Sequence, residues 1–307
     1  MESMTFRELT DRMMLLYTER EFAEALQLVQ QHADRFPEQS ARTTFWEMCL
    51  LSLDGRPAEV MSVFRQGLDA GYWWAASQFG DPDLGAVREL PEFQQLMAVS
   101  QEKYEKARSL IPRDRTLLLP EPPPSGKYPL LIALHGRNGN KESDPEHWEV
   151  ARQRGWLVLC PQSTQPLYPG AYCWDDSTLG LADLSFYYEQ VLQEYQVDPQ
   201  RVIIAGFSQG SGMAIYAALK GNLPARGFIG IGTWWPDASE FVCERKDLRG
   251  YFVTGEKDQT LERAREIQDT LRKNNVQIAE EVHPDLGHAF PADFAASFDQ
   301  AIKFILE

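Results

Sequence analysis

Two periodicities divide this chain. As far as about Leu110, apolar positions recur three and four residues apart, the spacing of one helical face, and β-branched runs are almost absent. Phe22, Ala25 and Val29 lie at that spacing with Pro37 after them. Pro57, Val60 and Phe64 repeat the placement about 35 residues later, with Gly55 marking a turn between paired helices. A closing helix is expected from about residue 91 to 109. From Arg115 onward, short apolar runs alternate with helical stretches, the pattern of a mostly parallel sheet flanked by helices. Strands are predicted at 116–119, 128–134, 202–207, 227–233, 250–255 and 276–282. The joint falls near Ile111-Pro112, which divides the chain into an all-α domain, 1–110, and an α/β domain, 111–307.

Composition narrows the partners more than the fold. With 307 residues, 43% of them apolar, the chain is long enough to fill a sizeable core. A formal charge of −15 and no evident cluster of Lys and Arg argue against nucleic acid and anionic membrane surfaces. No uncharged apolar run reaches the length of a membrane span, and the first residues lack the apolar core of a secretion signal, so a cytoplasmic location is expected. The four cysteines, Cys49, Cys160, Cys173 and Cys243, show no Cys-x-x-Cys pair and read as buried thiols, although Cys160 and Cys173 are candidates to lie close together.

The chemistry enters at residues 202–212, where a β-branched run ends in Gly206-Phe207-Ser208-Gln209-Gly210 and passes into a helical stretch. A strand, a sharp turn and a helix with serine at the apex need side chains that are absent two positions either side, so that strand and helix approach closely. Ser208 is then the candidate nucleophile at a helix start, where free N–H groups favour an oxyanion. A second glycine-rich loop, His135-Gly136-Arg137-Asn138-Gly139-Asn140, follows an apolar strand. The N–H groups of Arg137 and Gln209 are assigned to the oxyanion, each contributing roughly 3 kcal/mol to the transition state of acyl transfer. His135 reads as a shaping residue of that loop.

A serine needs a base, and the base needs a carboxylate that sets its tautomer. Asp258 lies in the loop closing the 250–255 strand, with Glu256 and Asp285 as its competitors, and His288 follows the last predicted strand. An alternative takes His283, Asp285 and His288 as metal ligands, although their spacing matches no zinc signature.

From about Arg115 to the C-terminus the chain resembles the α/β-hydrolase superfamily, and within it the phospholipase/carboxylesterase-like group. The order Ser208, Asp258, His288 is the one that superfamily uses. Gly206-Phe207-Ser208-Gln209-Gly210 is similar to the group's elbow, Cys173-Trp174-Asp175-Asp176 to its Trp-Asp segment, and Trp234-Trp235-Pro236 to a segment near its acyl pocket. Trp174, Trp234 and Trp235 are therefore candidates to line a substrate pocket, and equally to be core. Ser211 stands where a further glycine is expected, and the helical half lies outside the resemblance.

That half, with Glu21-Phe22-Ala23-Glu24-Ala25-Leu26 at the start of a second helix, resembles degenerate tetratricopeptide-type helix pairs. A docked structural extension is favoured over a surface for a peptide, a partner or a second copy. Tyr72-Trp73-Trp74 is read as core or an intramolecular contact, with a wall over the active site as the alternative. The resemblance implies a serine hydrolase of carboxylic esters with small to medium acyl chains, acting on a small-molecule ester without a cofactor. A thioesterase or peptidase on the same triad, and a partner-binding protein built on a hydrolase scaffold, are the alternatives.

Overall fold

The computed structural model describes residues 4–221, 223–242, 245 and 247–307. They form two compact units, one comprising Met1–Ile111 with Pro166–Ala171 and the other Pro112–Gln165 with Tyr172–Glu307.

The first unit is helical. Its helices are α1 (Phe6–Thr18), α2 (Phe22–His32), α3 (Ser40–Leu53), α4 (Pro57–Asp69) and α5 (Pro91–Arg108), each packed on the one before it, with 3₁₀ turns separating α4 from α5 in the chain. Thr5 and Glu8 close a reciprocal capping box at the start of α1, while prolines open α4 and α5, where a missing N–H costs nothing. Ala25, Val29, Val60 and Phe64 all have no exposed surface. The core gathers on Phe64, whose ring centroid lies 5.6 Å from that of Trp74 and 5.3 Å from those of Phe79 and Phe93. Trp74 is fully buried and donates its indole N–H to Ala41 O at 3.0 Å, and Trp73 packs on Tyr104. The tryptophan pair is thus core of the helical unit, because each ring finds its partners there. Ala75 N–H donates to Leu167 O at 2.7 Å within the same unit.

The second unit is built on a sheet. In chain order its elements are β1 (Arg115–Leu118), β2 (Tyr128–Leu134), α6 (Pro145–Gln153), β3 (Leu157–Pro161), α7 (Ser177–Glu194), β4 (Val197–Phe207), α8 (Gln209–Lys220), β5 (Gly227–Ile231), β6 (Arg249–Gly255), α9 (Leu261–Lys273), β7 (Gln277–His283) and α10 (Phe294–Leu306). Among the described residues they give a seven-stranded sheet of order β1-β3-β2-β4-β5-β6-β7, antiparallel only between β1 and β3. Alternation sorts the side chains: Leu130, Ile132 and Leu134 of β2 face a core shared with α7, α8 and α9, whereas Leu131 and Ala133 face one shared with α6 and α10. Both faces are covered, so residues 130–134, 202–206 and 227–231 are buried without a polar interruption.

Strand order reverses between β2 and β4, since β2 connects toward β3 on one side and β4 toward β5 on the other. A parallel sheet opens a crevice at its strands' carboxyl ends at such a point. Leu134 pairs with Gly206 and Phe207 with Ile231, so the ends of β2, β4 and β5 lie level, and the loops that leave them share one edge.

Cys49, Cys160 and Cys173 are buried free thiols, so Cys160 and Cys173 form no bridge, and Cys243 lies outside the described residues. No helix among the described residues is long and apolar enough to cross a membrane.

Candidate active site

The elbow forms where β4 runs into α8. Ser208 sits between them at φ 53 and ψ −121, a backbone state that costs a non-glycine residue about 1–3 kcal/mol. A Cβ on Gly206 would lie 2.4 Å from C and O of Gly210, and one on Gly210 would lie 2.3 Å from His135 O. Those obstacles are backbone and cannot turn aside, so the approach of strand, turn and helix depends on both glycines. Ser208 N–H donates to Ile231 O at 2.9 Å, and Ser208 O accepts from Trp234 N–H at 3.2 Å, which pins the serine to the end of β5.

Gly232, which follows Ile231, sits against Asp258 and His288. It has φ 52, and a Cβ there would lie 3.1 Å from Asp258 Oδ2 and 3.1 Å from Nδ1 and Cε1 of His288. Asp258 leaves the end of β6, and His288 comes from the loop after β7. Both Asp258 carboxylate oxygens lie 3.0 Å from His288 Nδ1, and Oδ1 also accepts from the Thr260 N–H and hydroxyl, each at 2.8 Å. Burial works to raise the Asp258 carboxyl, but the bonds from His288 and Thr260 outweigh it and hold the group below its ordinary value. An ionised carboxylate fixes the imidazole proton on Nδ1 and leaves Nε2 as the basic nitrogen. The Phe207 ring supports the imidazole, with centroids 4.7 Å apart.

Among the described residues neither competing carboxylate pairs with His288. Glu256 is exposed, Asp285 pairs with Lys257 at 2.6 Å, and His283 Nε2 meets Glu281 at 3.0 Å. His283, Asp285 and His288 thus have three different partners and do not converge on a shared ligand position. Among the described residues the one cluster of metal-ligating atoms is Cys49, Asp81 and Asp83 in the helical unit, within 4.8 Å of one another. Asp83 there accepts from the Tyr17 hydroxyl.

The loop after β2 turns tightly, with Gly139 N–H donating to Gly136 O at 3.0 Å and Asn138 at φ 65. Arg137 occupies the second position of this turn. Neither Arg137 N–H nor Gln209 N–H donates to an acceptor among the described residues, and Gln209 begins α8, whose first amides have no intrahelical partner. His135 is 3% exposed, and its position beneath the loop explains its chemistry. Burial pushes the imidazole down to about 4 against the opposing bond to Gly136 O. Its Nε2 accepts from Ser163 N–H at 3.3 Å, so Nδ1 carries the proton toward Gly136 O at 2.8 Å. His135 shapes this loop as a neutral ring.

The tryptophans separate by burial. Trp174 has no exposed surface and donates its indole N–H to His135 O at 2.9 Å. Trp235 is 2% exposed, stacks on Tyr216, and packs against Gly212, where a Cβ would come within 2.5 Å of its ring. Both are core, the place the sequence left open for them equally with a substrate pocket, and their rings pack among the apolar side chains between the sheet and its helices. Trp234 alone of the three keeps a partly exposed side chain. Ser211 takes its buried place by a 2.6 Å hydroxyl contact with Thr233.

Gly232 and Thr260 were not singled out by sequence. Thr260 follows Asp258 by two positions, the spacing at which a carboxylate accepts a local N–H, so its signal was present. Gly232 gave none, since its role comes from loops distant in the chain.

Two family models match the chain: A/B hydrolase-like, N-terminal domain, over residues 5–108, and Phospholipase/Carboxylesterase, over residues 188–306. Among curated proteins, the chain is 35% identical over 96 residues to a bifunctional acetylxylan esterase/xylanase of Neocallimastix patriciarum, a match covering 30% of this chain and 14% of that protein. It is 34% identical over 122 residues to an acetylxylan esterase of Coprinopsis cinerea, covering 34% of this chain and 31% of that one. The chain thus spans less than a third of the length of these relatives. A solved structure of an uncharacterized protein from Bacillus cereus is similar over 99% of this chain and 100% of its own, with a TM-score of 0.55 and 26% identity.

Proposed function

We propose that this α/β-hydrolase, a carboxylesterase-like chain carrying an A/B hydrolase-like N-terminal domain, cleaves carboxylic esters through an acyl-enzyme formed on Ser208. The observation that carries the reading is the Asp258–His288 pair, with both carboxylate oxygens 3.0 Å from Nδ1, set against the glycine that follows the serine's own hydrogen-bond partner Ile231.

Ser208 Oγ attacks the ester carbonyl while its proton passes to His288 Nε2, and Asp258 stabilises the imidazolium that results. The carbonyl oxygen becomes an oxyanion received by the N–H groups of Arg137 and Gln209. The C–O bond to the leaving group then breaks, and the alcohol departs with the proton held on His288. Water repeats the sequence on the acyl-enzyme, giving its proton to His288, and the released acid leaves Ser208 reprotonated. No step calls for a cofactor. We assign this chemistry to residues 111–307, with the helical domain at 1–110 outside the reacting groups.

Small to medium acyl groups are the substrate class favoured. Two of the curated relatives are named as acetylxylan esterases, and the half-buried Trp234, hydrogen-bonded through its backbone to Ser208, is the remaining one of the three tryptophans to meet an acyl or alcohol group.

The test is turnover of p-nitrophenyl esters of increasing acyl length by wild type and Ser208→Ala, with the matching thioesters alongside. Esterase activity highest on the short acyl chains is expected, and Ser208→Ala is expected to lower kcat by about 10⁶. Preference for the thioesters would reassign the leaving group, and full activity in Ser208→Ala would overturn the nucleophile.

A further inference from the structure

We propose that Asp175 is a positioning residue of the oxyanion hole: a single carboxylate oxygen binds the side chains of both residues whose backbone N–H groups are assigned to the oxyanion. This inference rests on the serine-esterase reading above. Asp175 Oδ1 accepts from the Arg137 guanidinium and, at 2.7 Å, from Gln209 Nε2. Arg137 lies in the loop after β2 and Gln209 in the first turn of α8, so the two amides come from elements with no covalent reason to keep a fixed spacing.

The segment around Asp175 is built as a strap across that gap. On the loop side, Asn138 N–H donates to Tyr172 O at 3.0 Å, Tyr172 N–H to Gly139 O at 2.9 Å, and the Trp174 indole to His135 O at 2.9 Å. On the elbow side, the buried Gln209 side chain uses both ends, accepting from Trp174 N–H at 3.0 Å through Oε1 while Nε2 donates to Asp175. The adjacent Asp176 is spent otherwise, capping α7 through Thr178 and Leu179 N–H. Asp175 is therefore the side chain of the strap that hydrogen-bonds both amide-bearing residues.

Its worth is geometric. The Arg137 and Asp175 side chains are 32% and 41% exposed, and ion pairs in contact with water add little to stability. Donors displaced by a fraction of an ångström, however, lose much of their effect on a charge that exists only in the transition state. Loss of Asp175 is thus expected to lower kcat without unfolding the protein.

The experiment compares the full-length wild type with Asp175→Asn, Asp175→Ala and Arg137→Ala. It measures kcat and KM on p-nitrophenyl acetate, inhibition by phenylboronic acid, whose tetrahedral serine adduct places an oxygen in the hole, and Tm. Asp175→Ala is expected to lose about 10- to 100-fold in kcat, with KM within about threefold and boronate affinity weakened in parallel. Asp175→Asn, whose amide oxygen still accepts, is expected to lose less. The Arg137→Ala/Asp175→Ala double variant is expected to fall short of the product of the single losses, as coupled residues do. Wild-type kcat and boronate affinity in both Asp175 variants would overturn the inference while the triad stands, as would activity falling only in step with Tm. A wild type that neither turns over the ester nor binds the boronate, or a Ser208→Ala variant that does both, would overturn the esterase reading and the positioning role with it.

Discussion

At the scale of single residues, two buried titratable side chains beside the proposed oxyanion loop make stability depend on pH. His135 and Asp144 line the same small cavity with Ala133, Asn140, Lys141 and Cys160, and burial shifts them in opposite directions, the imidazole down to about 4 and the carboxyl up to about 6. Asp144 Oδ2 is buried without a partner. Between pH 6.5 and about 4 the unfolded chain takes up a proton at His135 that the folded state refuses, so stability present above pH 6.5 is lost as pH falls, by up to about 3 kcal/mol. Asp144 runs the other way: between about pH 6 and 3.8 the folded state holds a proton that the unfolded carboxyl releases, so its contribution grows as pH falls. The two offset each other over that window. Asp144→Asn is expected to be more stable than wild type at pH 7 and to lose more stability on acidification to pH 4.5, read from urea midpoints at the two pH values. Identical midpoints at both would mean that the carboxyl ionises without penalty.

At the scale of elements, the site depends on how closely loops from β4, β5 and β6 meet. Gly232 marks the meeting at the Asp258–His288 pair, with φ 52 and both side chains 3.1 Å from where a Cβ would sit. Gly232→Ala is expected to lower stability by about 1–3 kcal/mol and kcat by about 10- to 100-fold, since the added methyl strains the backbone and displaces the imidazole. Gly126→Ala is the control, because a Cβ there meets nothing within 4 Å. Equal kcat in the two variants would show that the loops move apart freely. Helix and strand patterns were legible at this scale: the apolar runs around Leu131, Ile204 and Ile229 became paired central strands, and Ser208 stands at the predicted turn. The strap from Tyr172 to Asp175 was legible only as a family resemblance, since its hydrogen bonds reach residues more than thirty positions away on either side.

At the scale of the whole molecule, the compact units and the linear chain do not coincide. Residues 166–171 lie in sequence between β3 and α7 yet belong to the helical unit, where Leu167 and Tyr168 are buried and Ala75 N–H bonds Leu167 O. A fragment comprising residues 112–307 is therefore expected to lose amide-exchange protection at 166–171 relative to the full chain. Unchanged protection in the fragment would mean that the segment holds its structure without its partner.

The sequence by itself determined the two periodicities, the elbow and the order of serine, carboxylate and histidine, because each of these is written in neighbouring residues whose spacing carries the physics. It left three carboxylates open as the partner of one histidine and three tryptophans open between pocket and core. Only the tertiary structure set Asp258, rather than Glu256 or Asp285, against His288 Nδ1, buried Trp174 and Trp235, and brought Gly232 beside that pair and Asp175 beside Arg137 and Gln209. Those outcomes depend on distances between segments far apart in the chain, and local pattern carries no information about which loops will meet.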